Sequence, residues 1–211
     1  MLAQQNKSAS QVIRSLTKEE INLLPVRAWE GDVVLVQDQK ELDAALEELW
    51  REPVLGFDTE TRPTFAKGQT ANPAIIQFAT EVRAYIVRLA GVPFGRDMAE
   101  LLSSPEHLKV GVAIRDDLRA MQRFYPFNPV GVVDLAELAR SKGVEAQGLR
   151  TLAASLLGFR ISKGARCSNW ENAVLTPQQI RYAATDAWIG RELYFRLLSL
   201  PDVCPAGQAG K

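Results

Sequence analysis

The 211-residue sequence is short of the residues on which many metal and nucleophile sites depend, with two cysteines and one histidine. Cys167 and Cys204 lie far apart without CxxC spacing, which excludes a disulfide framework or a zinc site and leaves two ordinary thiols. His107 stands alone between "SSPE" and "LKVGVAI", with no serine or cysteine nucleophile motif near it, so it reads as a loop or strand-edge residue and not as a catalyst. No apolar run approaches the roughly 18 residues of a membrane span, and "MLAQQNKSAS" lacks the apolar stretch of a secretory signal. The expectation is a cytoplasmic protein with no membrane partner. Net charge is absent too. Twenty-five basic residues balance 25 acidic ones, so no global positive field draws in a polyanion, and any grip on nucleic acid must be local.

What remains is the composition of a globular chain, 46% hydrophobic and 24% charged, without internal repeats, low-complexity tracts or an interdomain linker. In "LTKEEINLLP", Thr17 and Glu20 have the spacing of a capping box and Pro25 stops the helix, predicting a short helix packed outside the main body. "GDVVLVQD" reads as a strand and "QKELDAALEELWRE" as an amphipathic helix with Leu42, Leu46 and Leu49 on one stripe. "PVLGFDTET", "AIIQFAT" and "RAYIVRL" predict three successive strands, an antiparallel meander, the first two separated by the loop "RPTFAKGQTANP". From there "HLKVGVAI", "DDLRAMQRFY", "GVVD" and "LAELARSKG" alternate strand and helix, as in a parallel α/β half. The predicted fold is therefore α/β with a mixed central sheet flanked by helices. "LRTLAASLLGF" and "TPQQIRYAATDAWIGRELYFRLLSLP" read as helical and "PAGQAGK" as a disordered tail.

The acids carry the chemistry. In an extended "FDTET", Asp58 and Glu60 share one face, which costs free energy unless a cation sits between them. The last helix has a register fixed by Thr176 as N-cap, Pro177, Gln179 completing a capping box and Pro201 beyond the end. Arg181, Thr185, Glu192 and Arg196 then form a polar face, with Ile180, Ala184, Ala187, Tyr194 and Leu198 opposite. Asp186 projects between Leu193 and Leu197 with Tyr182 one turn earlier, offering a carboxylate and a phenol toward the interior. Such a carboxylate needs a donor, a basic partner or a metal, and a hydrogen bond from Tyr182 alone is one solution. Asp58, Glu60 and Asp186 are hard oxygen ligands of the kind magnesium or manganese prefers. At "GVAIRDDLRAM" either Asp116 or Asp117 could cap a helix, and Asp117, one turn before Met121, is the one turned toward the core.

"FDTET", "VGVAIRDDL" and "YAATDAW", in that order, resemble the three motifs of the DEDDy branch of 3′→5′ exonucleases, the group of ribonuclease D and the Werner syndrome exonuclease domain. The resemblance covers about residues 33 to 200, and "SNWENAVLTPQQIRYAATDAW" supports it. It implies a ribonuclease H-like fold, with a helical extension over residues 1–30, an exonuclease domain over 31–201 and a tail over 202–211. It implies that Asp58, Glu60, Asp117 and Asp186 hold two divalent ions, Mg²⁺ or Mn²⁺, and that Tyr182 orients or helps deprotonate the attacking water. Asp58 would bridge the ions, Glu60 and Asp186 hold the one that activates water, and Asp117 the other. The family's spacing also selects Asp117 over Asp116. Four carboxylates match the charge of two divalent ions, so the pocket accepts a polyanion once metal-loaded.

The implied activity is removal of nucleotides from the 3′ end of DNA or RNA, releasing nucleoside 5′-monophosphates. The alternatives are a nucleic-acid-binding module that has lost catalysis, or a phosphatase or small-oligonucleotide hydrolase using the same ions. Arg115, Arg119 and Arg123 recur every four residues, and Arg160, Lys163, Arg166 and Arg181 outnumber Glu171 between 159 and 181. Arg115, Arg119, Lys163 and Arg166 are the candidates for backbone contacts, against the reading of a solvated basic face. Phe65 and Trp170 are candidates for base stacking, with packing the expected role of Trp170.

Overall fold

The computed structural model describes residues 12–61 and 72–202. Most of the 62–73 loop, with Phe65, and the tail, with Cys204, lie outside them. In chain order the elements are α1 (Lys18–Leu23), β1 (Asp32–Val36), α2 (Gln39–Leu49), β2 (Val54–Thr61), β3 (Pro73–Ala79), β4 (Arg83–Arg88), α3 (Arg96–Ser103), β5 (Leu108–Gly111), α4 (Ile114–Met121), β6 (Val132–Asp134), α5 (Leu135–Ser141), α6 (Leu149–Leu152), a π-helical turn (Ala153–Leu157) and α7 (Pro177–Leu198).

The strands form one mixed sheet in the order β1-β4-β3-β2-β5-β6. The expected meander is its centre, with β2, β3 and β4 antiparallel in succession. Parallel β5 and β6 extend it beyond β2, and β1 closes the opposite edge parallel to β4. Alternation along β2 divides the interior. Leu55 and Phe57 enter a core shared with Leu46, Leu49, Met98, Leu101, Ile114 and Met121 on one side. Ile75, Ala84 and Ile86 meet Trp170, Ala183 and Ala184 on the other, so Trp170 is a buried packing residue.

Both capping boxes form as the sequence predicts. The Thr17 amide donates to Glu20 Oε2 at 2.8 Å, and the Thr176 amide donates to Gln179 Oε1 at 3.0 Å. His107 is structural, its Nδ1 2.7 Å from Ser104 Oγ and its Nε2 3.0 Å from the Trp50 carbonyl.

Three sequence expectations change. The strand read as "HLKVGVAI" stops at Gly111, and α4 starts at Ile114 with Ala113 as N-cap in the left-handed region at φ 60. Neither Asp116 nor Asp117 therefore caps that helix. The eight-residue α3 was not anticipated, because two turns of "RDMAELLS" leave little periodicity to read. The polar face assigned to α7 is also not a solvent face throughout. Thr185 is buried, donating its hydroxyl to the Arg181 carbonyl at 2.6 Å and accepting the Trp29 amide at 3.0 Å, while Leu198 is exposed. The segment before β1 covers this face of α7 at Thr185, while Arg181 and Arg196 on the same face remain exposed.

Candidate active site

β2 and α7 make the site. The chain crosses the sheet at Val54, Gly56, Asp58 and Glu60 on the face toward α7, and α7 contacts β2 more than any other strand. Gly56 permits that closeness, since a Cβ there would lie 2.0 Å from the Ala187 carbonyl oxygen. The neighbouring residue in α7 is Asp186. One carboxylate oxygen from each of Asp58, Glu60 and Asp186 lies within 4.8 Å of the others.

Asp117 stands slightly apart. Thr59, between the two acids of β2 but on the opposite face, donates its hydroxyl to Asp117 Oδ1 at 2.6 Å. Asp58 Oδ1 in turn accepts the Thr59 amide at 2.9 Å. A single residue thus touches both carboxylates, and the charge of Asp117 still reaches Asp58 and Glu60. Ala113, in the left-handed region at φ 60, is the N-cap of α4, the helix that carries Asp117.

These carboxyls are costly to ionise without a counter-charge. Burial, then Asp186, Asp117 and Glu60, holds Asp58 well above the usual carboxylate range. Burial with Asp186 and Asp117 pushes Glu60 up to about 8, against the pull of Arg166. Burial takes Asp186 to about 7, opposed by the Tyr182 hydroxyl, Arg150 and Arg166. Asp117 rises to about 6, again through burial and against the Thr59 hydrogen bond. Burial first, then Asp186, Glu60 and Asp58, raises the Tyr182 phenol. An all-oxygen donor set, clustered and electrostatically unfavourable on its own, fits a hard divalent cation.

The carboxylates open into a cleft of about 760 Å³ lined also by Tyr182, Arg150, Arg166 and the exposed thiol of Cys167. Of the candidate phosphate contacts, Arg166 lines this cleft. Lys163 is exposed just before it in the chain and is not part of the lining. Arg115 and Arg119 lie outside, paired on the surface with Glu137 at 2.8 Å and Asp116 at 2.6 Å. Arg123 donates to Asn72 at 3.1 Å. Arg150 went unnoticed in the sequence. It sits in α6 within an apolar run and faces the acids only because the tertiary fold turns it there; one Nη donates to the Ile161 carbonyl at 3.2 Å, and its buried Nε has no hydrogen-bond partner among the described residues. Thr59 was equally silent, as the residue between two more conspicuous acids.

The family described as 3′-5′ exonuclease matches residues 33–200. The chain belongs to the 3′-5′ exonuclease family. It is 33% identical over 155 residues to the mouse bifunctional 3′-5′ exonuclease/ATP-dependent helicase WRN, covering 71% of this chain and 11% of that protein. It is 34% identical over 173 residues to ribonuclease D of Gluconacetobacter diazotrophicus, covering 79% and 42%. The chain therefore spans less than half the length of these curated relatives. Among solved structures, the Nibbler EXO domain of Aedes aegypti superposes with a TM-score of 0.72 at 26% identity, covering 82% of this chain and 91% of that one. Trypanosoma brucei RNase D in complex with RNA U12 superposes at 0.74 with 20% identity, covering 82% and 65%. The fold of this 3′-5′ exonuclease family member is ribonuclease H-like, as the resemblance implied, and its mixed sheet agrees with the one read from the pattern. No helix among the described residues is long and apolar enough to cross a membrane.

Proposed function

We propose that the chain is a metal-dependent 3′→5′ exonuclease of the DEDDy type that hydrolyses the terminal phosphodiester bond of a DNA or RNA strand and releases nucleoside 5′-monophosphates. The observation that carries this reading is the convergence of Asp58, Glu60 and Asp186 within 4.8 Å, from two distant parts of a chain in this family. Residues 31–201 are the catalytic unit, and residues 12–30 are its docked extension.

Asp58, Glu60, Asp186 and Asp117 would hold two Mg²⁺ or Mn²⁺ ions, which supply Lewis acidity and a water acidic enough to attack a phosphodiester near neutral pH. Thr59 fixes Asp117 by its hydroxyl and Asp58 by its amide, limiting the orientations the two carboxylates adopt. Tyr182, lining the cleft beside Asp186, orients the attacking water by hydrogen bonding or helps remove its proton. Arg150 and Arg166 place positive charge in the cleft, where it meets the phosphates of the bound strand. The acidic pocket and its arginines thus divide the work, the acids serving the ions and the guanidinium groups serving the substrate. The RNA-bound relative supports a nucleic-acid substrate, and DNA and RNA are both to be tried.

Incubation of 5′-labelled single-stranded RNA and DNA with Mn²⁺ is expected to give ladders shortened from the 3′ end. Asp58→Ala abolishes them, and Tyr182→Phe slows cleavage by about 10²-fold or more while leaving Mn²⁺ affinity unchanged. Full-length substrate in every lane would contradict the proposal, and an undiminished rate for Tyr182→Phe would remove that residue from the chemistry.

A further inference from the structure

Gln77 is fully buried at the centre of β3, yet neither its Nε2 nor its Oε1 has a hydrogen-bond partner among the described residues. Two unsatisfied polar atoms in a core are a large burden. A buried donor or acceptor without a partner costs about 1–3 kcal/mol, and an apolar residue of the same shape would avoid it. The position is not arbitrary. Gln77 pairs with Asp58 across the β2–β3 ladder, and residues directly opposite in an antiparallel pair point to the same face with Cβ atoms about 5 Å apart. The neighbouring pair confirms the facing, since a Cβ on Gly56 would approach Ala79 Cβ at 3.3 Å as well as α7. Gln77 therefore stands beside Asp58 beneath α7, within the reach of a glutamine side chain. Asp58 has capacity to spare, because the one protein donor it accepts among the described residues is the Thr59 amide at Oδ1.

We infer that Gln77 is a positioning residue for the metal site, its carboxamide held without a partner in the metal-free protein and donating from Nε2 to the Asp58 carboxylate when a divalent cation is bound. The inference rests on the exonuclease reading of the acidic cluster and assigns Gln77 a role within it. A bound cation would restrict the Asp58 carboxylate to one orientation beside the Gln77 amide, and its Oδ2, which accepts no donor among the described residues, is the acceptor the amide lacks. Donors to a ligating carboxylate orient it and sharpen metal affinity, and removing such a partner typically weakens binding by about 10–100-fold. The unsatisfied amide is then a stability cost retained for a bound state.

The test is Gln77→Met, similar in volume and without polar atoms. In EDTA its Tm is expected to equal or exceed that of the wild type. Its calorimetric Kd for Mn²⁺ should be weaker by about tenfold, and kcat on single-stranded RNA should fall with KM unchanged. A Tm in EDTA below the wild-type value would mean that the amide is already satisfied without metal, and an Mn²⁺ Kd within twofold of wild type would mean that it does not act on Asp58. Either result overturns the inference. A measurement on the unaltered protein is independent of how the variant folds. The Gln77 side-chain amide resonance, assigned by its absence from the Gln77→Met spectrum or by selective labelling, should shift downfield on Mg²⁺ addition, and an unmoved resonance in a protein that binds Mg²⁺ would contradict the role. If the wild type binds neither ion, the exonuclease reading itself fails, an outcome distinct from the other two.

Discussion

Glu60 and Asp186 hold protons at pH values where exposed carboxyls have lost them, at about 8 and about 7. Linkage fixes the sign of the consequence. Between roughly pH 4 and 8 the metal-free native state binds more protons than the unfolded chain, so its stability is greatest below the unfolded carboxyl pKa and falls as pH rises through the folded values. Melting in EDTA should accordingly give a Tm that declines from pH 5 to pH 8, and the rise in Tm produced by Mn²⁺ should grow over the same interval. A Tm rising with pH in EDTA would mean that these acids are compensated by protein groups alone. Residue by residue, the site was unevenly legible. Asp58, Glu60, Tyr182 and Asp186 stood out because strand alternation and helical spacing are local rules. Arg150, Thr59 and Gln77 did not, because what matters about them is who faces them across the fold. Asp117 was picked out over Asp116, but its bond from Thr59 was not legible, because it joins α4 to β2 across the fold.

β2 and α7 were readable as elements because each carries its own punctuation: an apolar run ending in two acids, and a helix with a capping box and a proline beyond its end. Their mutual approach was not readable, since it depends on Gly56 meeting a carbonyl of the other element. Gly56→Ala tests that contact. A methyl 2.0 Å from backbone oxygen has no flexible side chain to displace, so α7 must shift, at a cost of about 3 kcal/mol. The expected result is a lower denaturation midpoint together with weakened Mn²⁺ binding, because the shift moves Asp186 from Asp58. An unchanged midpoint would mean that the two elements are not held at this distance. The failures at the element scale have the same root. The strand before α4 was read too long because "VAI" is apolar on either side of the boundary, and α3 was too short to display a period.

At the scale of the whole molecule, the segment before β1 is stitched to the body and not merely attached to it. Ile13 bridges to Val144 and Val26 to Arg160, flanking α6 and the π-helical turn. Trp29 packs on Trp188 of α7 with ring centroids 5.7 Å apart, and its Nε1 donates to the Asp32 carbonyl at 3.0 Å. These residues precede the stretch matched by the exonuclease family, yet they cover the side of α7 that carries Thr185. Trp29→Ala is expected to destabilise the protein by about 2 kcal/mol, read as a shift in urea midpoint, and a shift near zero would mean that the segment docks without contributing. The neutral overall charge has a counterpart at this scale, since the positive groups that line the cleft among the described residues, Arg150 and Arg166, are local to it.

The account turns on whether acids from β2 and α7 share bound cations. Titration calorimetry of the wild type and Asp186→Ala with Mn²⁺ is the direct measurement. The prediction is saturable binding of two ions per chain in the wild type, with at least one site lost in the variant. Equal binding by both proteins, or none by either, would contradict it.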